Sequence, residues 1–337
     1  MPEWRNGRRT RLKIEYSQGC GGSSPLSGTH MKLPLIAIVG ATATGKSAFA
    51  VSLAKALKKQ GVRAEIISAD SRQVYTGLDI GTGKITKKEM RGIPHHMIDV
   101  VSPARTYTVA RFKKDTDVII KKLHKQHILP ILVGGTGFYI DSVLYEQTFP
   151  EVPPNPLLRK HLEKKSITEL LAELKKLDTE RYETIDKANG VRIIRAIEIA
   201  TALGAVPKSV QPTPRYDSHT YGITLPDMVL KEKISARLIS RIKRGMIKEA
   251  TKLHEQGLSW KRMGELGLEY RALADYLTKK ITKEDLITRL DREIWQYAKR
   301  QKTWFKRNKD IRWIDPDDQY ALENTTREIT AFLQDMQ

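Results

Sequence analysis

The chain has 337 residues, 40% apolar and 29% charged, a composition that builds a core and excludes a disordered chain. Its one cysteine, Cys20, excludes an intrachain disulfide framework and a cysteine-clustered zinc site, and suits a reducing compartment, here expected to be the cytoplasm. Lys and Arg number 59 against 39 Asp and Glu; a net charge of +20 fits either a solvated basic surface or a polyanionic partner such as a nucleic acid.

Residues 1–30 are rich in Arg, Gly and Ser, show no apolar periodicity and lack the apolar stretch of a secretory signal. They are expected to be a disordered leader or a non-native extension, with Met31 as the functional start. From Leu33 short apolar strands alternate with amphipathic helices. Strand "LPLIAIVG" leads into a loop and a helix over about 46–60, and strand "RAEIISAD" ends at Asp70. A helix near 108–126 precedes strand "ILPILVGG" at 128–135. This rhythm predicts an α/β fold, a P-loop-like parallel sheet flanked by helices. No apolar run is long enough to cross a membrane, so no membrane association is expected.

At "FPEVPPNP" the rhythm breaks, and residues 157–203 read as wholly helical. A second Pro-bearing loop, "VPKSVQPTPRY", ends that segment. "TYGITLP" reads as a returning strand, with three or four basic helices after it to about residue 309. The expected organisation is a catalytic core over 31–149 plus 217–315, an all-helical insertion over 150–216 and a C-terminal tail over 316–337.

Within "IVGATATGKSAFA" the spacing G-x-x-x-x-G-K-S spans Gly40, Ala41, Thr42, Ala43, Thr44, Gly45, Lys46 and Ser47. Such a loop turns backbone N–H groups around a phosphate at a helix N-terminus; Lys46 adds a point charge, and the Ser47 hydroxyl can ligate Mg²⁺. Motor and transport ATPases carry a magnesium-binding Asp at the end of a second strand. Here "ILPILVGG" runs into Gly134-Gly135-Thr136-Gly137 with no acid before Asp141, and no N-K-x-D string offers a guanine site.

Asp70, at a strand end in "SADSRQVY", reads as an indirect magnesium partner acting through the ion's own ligands, a general base facing the loop, or a helix cap. Thr136 is either a hydrogen-bond donor to substrate or part of a plain strand-to-helix turn. Arg192 and Arg195 share a helix face and form either an exposed stripe or a phosphate-backbone contact. In "REIWQYAKRQKTWFKRNKDIRW" basic residues alternate with aromatics; Trp295 and Trp304 are expected in the core, with the basic face open to RNA. His95-His96 lacks a third ligand at metal spacing.

The blocks "GATATGKS", "ISADSRQVYTGLDIGTGK", "PHHMIDV", "ILVGGTGFY", "RIIRAIEI", "GLEYRAL" and "YAKRQKTWFKR", in that order, resemble the tRNA dimethylallyltransferases over about 32–315. The resemblance implies transfer of a dimethylallyl group from dimethylallyl diphosphate to N6 of adenosine 37 in tRNA, with release of diphosphate. It implies that the loop from Gly40 to Ser47, with Mg²⁺, holds the diphosphate (or a nucleotide), with Lys46 among the catalytic residues. Asp70 matches the family's base and Thr136 its substrate-contacting threonine. Asp70, Ser71, Arg72, Gln73, Arg192 and Arg195 match its tRNA contacts, and at least one of Arg237 and Arg241 its diphosphate clamp. The resemblance implies that the tRNA partner is the anticodon stem-loop, with the adenine flipped from its stack; a monomer is expected. The turn before the arginine helix reads Asn189-Gly190 where many relatives read Asn-Asp, which questions a local cap. The rivals are a P-loop small-molecule kinase, a prenyltransferase of free adenine nucleotides, and a nucleotide-switched RNA-binding protein.

Overall fold

The structure is a computed structural model that describes residues 32–147, 149–208 and 213–336; the expected leader lies outside the described residues. Pro34–Gly40, without a charged side chain, is buried along its whole length and forms β1, as suits a strand covered on both faces. After it come α1 (Lys46–Lys59), β2 (Ala64–Ser68), α2 (Lys87–Met90), β3 (His95–His96), α3 (Val109–Lys125), β4 (Leu129–Gly134) and α4 (Gly137–Leu144). Four helices, α5 (Pro156–Leu162), α6 (Ile167–Leu177), α7 (Thr179–Thr184) and α8 (Gly190–Leu203), precede β5 (Asp217–Ile223). Then follow α9 (Asp227–Lys243), α10 (Met246–Glu255), α11 (Trp260–Glu265), α12 (Leu268–Leu277), α13 (Lys283–Phe305), β6 (Arg312–Ile314) and α14 (Ala321–Gln334).

Among the described residues six strands form one sheet in the order β3-β2-β4-β1-β5-β6, every pairing parallel. Alternation along β1 builds a core on each face. Leu35, Ala37 and Val39 join the core shared with α3, α9, α10, α12 and α13, whereas Ile36 and Ile38 join the one shared with α1 and α14.

The chain divides into two compact units. One comprises the described residues up to Tyr145 and from Pro214 on, and carries the sheet. Its last part departs from the expected tail over 316–337. There α14 buries Ile329 and Leu333 in the α1-side core, because Thr325, Ile329 and Leu333 recur every four residues and form a helical stripe.

The second unit, Glu146–Thr213, holds α5–α8 around its own core of Leu162, Leu170, Leu174, Ile185, Ile193 and Ile197. Its bounds fall a few residues before the expected 150–216. The stretch expected to be wholly helical is divided by turns at Ser166, Asp178 and Asn189, whose side chains each accept a backbone N–H of the next helix. Asn189 thus supplies the cap that Gly190 put in question. The basic region after β5 holds five helices among the described residues rather than three or four. The extra breaks come at Gly245 and Gly267, with φ of 102° and 120°.

Candidate active site

Pairing of Ser68 with Val133 and of Val39 with Gly134 brings the ends of β2, β4 and β1 to one level. Asp70, Thr136 and the loop after Gly40 therefore emerge side by side at the carboxyl edge of three neighbouring strands, the usual place for a ligand in a parallel sheet. A cavity of about 890 Å³ opens there. Thr42, Ala43, Gly45, Lys46 and Ser47 line it, with Asp70, Ser71, Arg72 and Gln73 after β2 and with Arg237 and Arg241 of α9. Gly40, Ala41 and Thr44 are buried behind the loop. A Cβ on Gly40 would fall 2.4 Å from the Ile223 carbonyl oxygen, so the loop leaves β1 where only glycine fits.

The cradle is built for an anion. Gly45 at the start of α1 makes no side-chain cap and the first turn holds no acid, which leaves its backbone N–H groups to a ligand. The Thr44 hydroxyl donates to the Ala41 carbonyl at 3.0 Å, and the Lys46 ammonium donates to the same oxygen. Burial, and next the charge of Arg237, bring the Lys46 pKa down to about 7 against the opposing pull of Asp70. Arg237 is itself lowered from its ordinary value, by burial and then by Arg241. Three cations thus crowd one wall.

Loop carbonyls aim the two arginines. Arg237 donates through Nη2 to Gly83 at 2.9 Å, and Arg241 through Nη1 to Gly81 at 2.7 Å. Glu249 of α10 fixes that loop by accepting the N–H groups of Asp79, Ile80 and Gly81 at 2.9, 2.7 and 2.8 Å. Tyr270 donates its hydroxyl to the same carboxylate at 2.6 Å. Sequence reading found the arginines but not Glu249.

Asp70 caps the turn after β2, with Oδ1 accepting the N–H groups of Arg72 at 2.8 Å and Gln73 at 3.3 Å. Its Oδ2 makes no hydrogen bond among the described residues and is left to a ligand in the cavity. Thr136 heads α4 without capping it. Its hydroxyl instead accepts the Ser71 N–H at 3.2 Å and donates toward Ser71 Oγ at 3.5 Å, tying the β4 turn to the β2 turn. The Tyr297 phenol lies beside Thr136 and Asp70, pushed up to about 12 by burial and then by the Asp70 charge.

The glycines of "GGTG" allow close packing within the protein, and Gly134 and Gly135 also line the cavity. A Cβ on Gly134 would meet the Ala69 carbonyl oxygen at 2.1 Å, one on Gly135 the Gln301 amide nitrogen at 2.3 Å, and one on Gly137 the Trp304 ring at 2.1 Å. Gln301 bridges the site. Its Oε1 accepts the Thr42 N–H at 2.8 Å and its Nε2 donates to the Gly135 carbonyl at 2.8 Å. Sequence reading missed it, although the signal is there: along α13 the buried residues Ile294, Ala298, Gln301 and Phe305 recur at core spacing, and one of them is an amide.

Arg192 and Arg195 belong to the second unit. Arg192 is exposed, with Asp186 at 3.3 Å. Arg195 is committed within the unit, donating to buried Glu198 at 3.2 Å and to the Val152 carbonyl at 2.8 Å. On α13, Lys299 and Arg300 are exposed. Just past it the Arg307 guanidinium stacks 3.9 Å over the Trp304 ring, whose N–H donates to Asp141. His96 pairs with Glu65 at 2.7 Å and His95 with the Ile93 carbonyl at 2.8 Å. Among the described residues no three His, Cys, Asp or Glu side chains cluster as a metal site, and no helix is long and apolar enough to cross a membrane.

A family model described as IPP transferase matches residues 73–308. The tRNA dimethylallyltransferase 2 of Treponema denticola is 42% identical over 83% of this chain and 95% of its own length. The tRNA dimethylallyltransferase of Anoxybacillus flavithermus is 37% identical over 89% and 96%. Among solved structures, the tRNA isopentenylpyrophosphate transferase of Bacillus halodurans superposes with a TM-score of 0.67 at 34% identity, covering 90% of this chain and 98% of that one.

Proposed function

The chain belongs to the IPP transferase family, and on that premise we propose that it transfers a dimethylallyl group from dimethylallyl diphosphate to N6 of adenosine 37 in tRNA. One observation carries the reading: an uncapped anion cradle with three cations lies beside a carboxylate that keeps one oxygen free. That pairing suits a leaving diphosphate next to an amine that must lose a proton.

The loop N–H groups, Lys46 and Arg237, with Arg241 behind it, hold the diphosphate and stabilise the charge that grows on it as the allylic C1–O bond breaks. The electron pair leaves with the diphosphate oxygen. N6 attacks C1, and its proton passes to Oδ2 of Asp70. Thr136, held by Ser71, orients the amine from the neighbouring strand end. The oxygen donors present, the Ser47 hydroxyl and the Asp70 carboxylate, fit Mg²⁺ carried on a diphosphate better than a metal caged by protein alone. Ser47 would hold the ion, and its chemistry would be to neutralise diphosphate charge. Ser71, Arg72 and Gln73 at the cavity, exposed Arg192 and the basic side of α13 offer contacts to the tRNA.

Incubation of the protein with Mg²⁺, dimethylallyl diphosphate and unmodified tRNA tests this, followed by mass spectrometry of the digested RNA. The expected product is adenosine 37 heavier by one dimethylallyl group. An unchanged nucleoside with ATP consumed instead would turn the reading to a kinase.

A further inference from the structure

Gln301 is 5% exposed, and both atoms of its amide are in use. One accepts from Thr42, in the cradle; the other donates to Gly135, the residue before Thr136. Turning the amide over would set N–H₂ against N–H and oxygen against oxygen, so one orientation alone satisfies both walls. The absence of a Cβ on Gly135 is what admits the amide at this distance. Beyond the last paired residues of β1 and β4, the cradle and the acceptor turn are therefore bridged by one buried side chain.

Resting on the prenyl-transfer reading, we infer that Gln301 is a positioning residue that sets the gap between C1 of the donor and the attacking nitrogen, and so decides between transfer and loss to water. In transfer the C1–O bond breaks, its electron pair leaves on the diphosphate, N6–C1 forms and the N6 proton goes to Asp70. With the gap widened, the same C1–O bond breaks but a water oxygen bonds C1 and its proton passes to solvent. The products are then dimethylallyl alcohol and diphosphate. Reacting atoms must sit about 3–3.5 Å apart for attack, and a misplacement of about 1 Å costs about a hundredfold in rate.

Two variants read this out, each assayed for prenylated tRNA and for total diphosphate in the same reaction. Gln301→Met keeps the length and removes both hydrogen bonds. Its transfer kcat is expected to fall by about ten- to a hundredfold with little change in donor KM. The share of diphosphate released without transfer is expected to rise severalfold. Gln301→Glu keeps an acceptor for Thr42 and regains a donor for Gly135 only when protonated. Its transfer rate, relative to wild type, should recover as pH falls through the carboxyl titration. Should the Met variant prove too unstable to assay, the Glu variant decides. Active wild type with alcohol and prenylated tRNA falling in step in Gln301→Met, or with a Gln301→Glu profile parallel to wild type, would overturn the role. Wild type that prenylates no tRNA would instead defeat the reading on which the role rests.

Discussion

Asp70 divides its carboxylate between fold and chemistry: Oδ1 holds the turn through Arg72 and Gln73, while Oδ2 faces the cavity without a partner among the described residues. Asp70→Asn keeps an oxygen for the turn and removes the base. Turnover is expected to fall by about a hundred- to ten-thousandfold while tRNA affinity changes little, as checked by single-turnover kinetics beside filter binding. Equal loss of both would make Asp70 scaffold. Lys46 supplies the pH dependence. Its pKa near 7 in the free protein rises when a diphosphate supplies the missing counter-charge, so binding takes up a proton above that pH. Donor affinity should be full below pH 7 and weaken by up to about tenfold per unit above it, in titrations across that range. Lys46→Arg, which does not titrate there, should abolish the slope. A flat profile in wild type would contradict the assignment. Spacing and strand ends made Lys46, Asp70 and Thr136 legible in the sequence. Core spacing on α13 marked Gln301 as an amide among buried residues, but neither its partners nor those of Glu249 were legible, because they lie far along the chain and only folding brings distant backbones to one amide or carboxylate.

At the scale of elements, α8 separates two arginines that look alike in "VRIIRAIEIA". Arg192 projects outward, whereas Arg195 and Arg159 together neutralise Glu198, a carboxylate whose side chain is 1% exposed. Removing Arg195 leaves part of a buried charge unpaired, so Arg195→Ala should cost about 1–3 kcal/mol in urea denaturation. Arg192→Ala should leave stability unchanged and reduce the salt dependence of tRNA binding by about one unit of slope. The reverse pattern would place Arg195 on the RNA and Arg192 in the fold. Helical spacing showed that the two share a helix; it did not show that Arg195 meets buried Glu198 of the same helix together with Arg159 of α5. The strands β1, β2 and β4 read cleanly because uninterrupted apolar runs leave few alternatives. The last helix, α14, did not, because threonines interrupt its apolar stripe and disguise it as a polar tail.

On the scale of the whole molecule, a sheet unit delivers the cradle, the base and Thr136 from neighbouring strands, and a separate helical unit carries exposed Arg192. The net charge of +20 agrees with a polyanionic partner but names none; that distinction comes from the family. The central claim is that the cradle holds a diphosphate that leaves from carbon. Dimethylallyl diphosphate labelled with heavy oxygen at the bridge between C1 and phosphorus tests it most directly. After reaction with tRNA, mass spectrometry should find all of the label in released diphosphate and none in the RNA, whose adenosine gains the prenyl group on nitrogen. Label retained on the allylic carbon, with phosphorus transferred to an acceptor, would contradict the account.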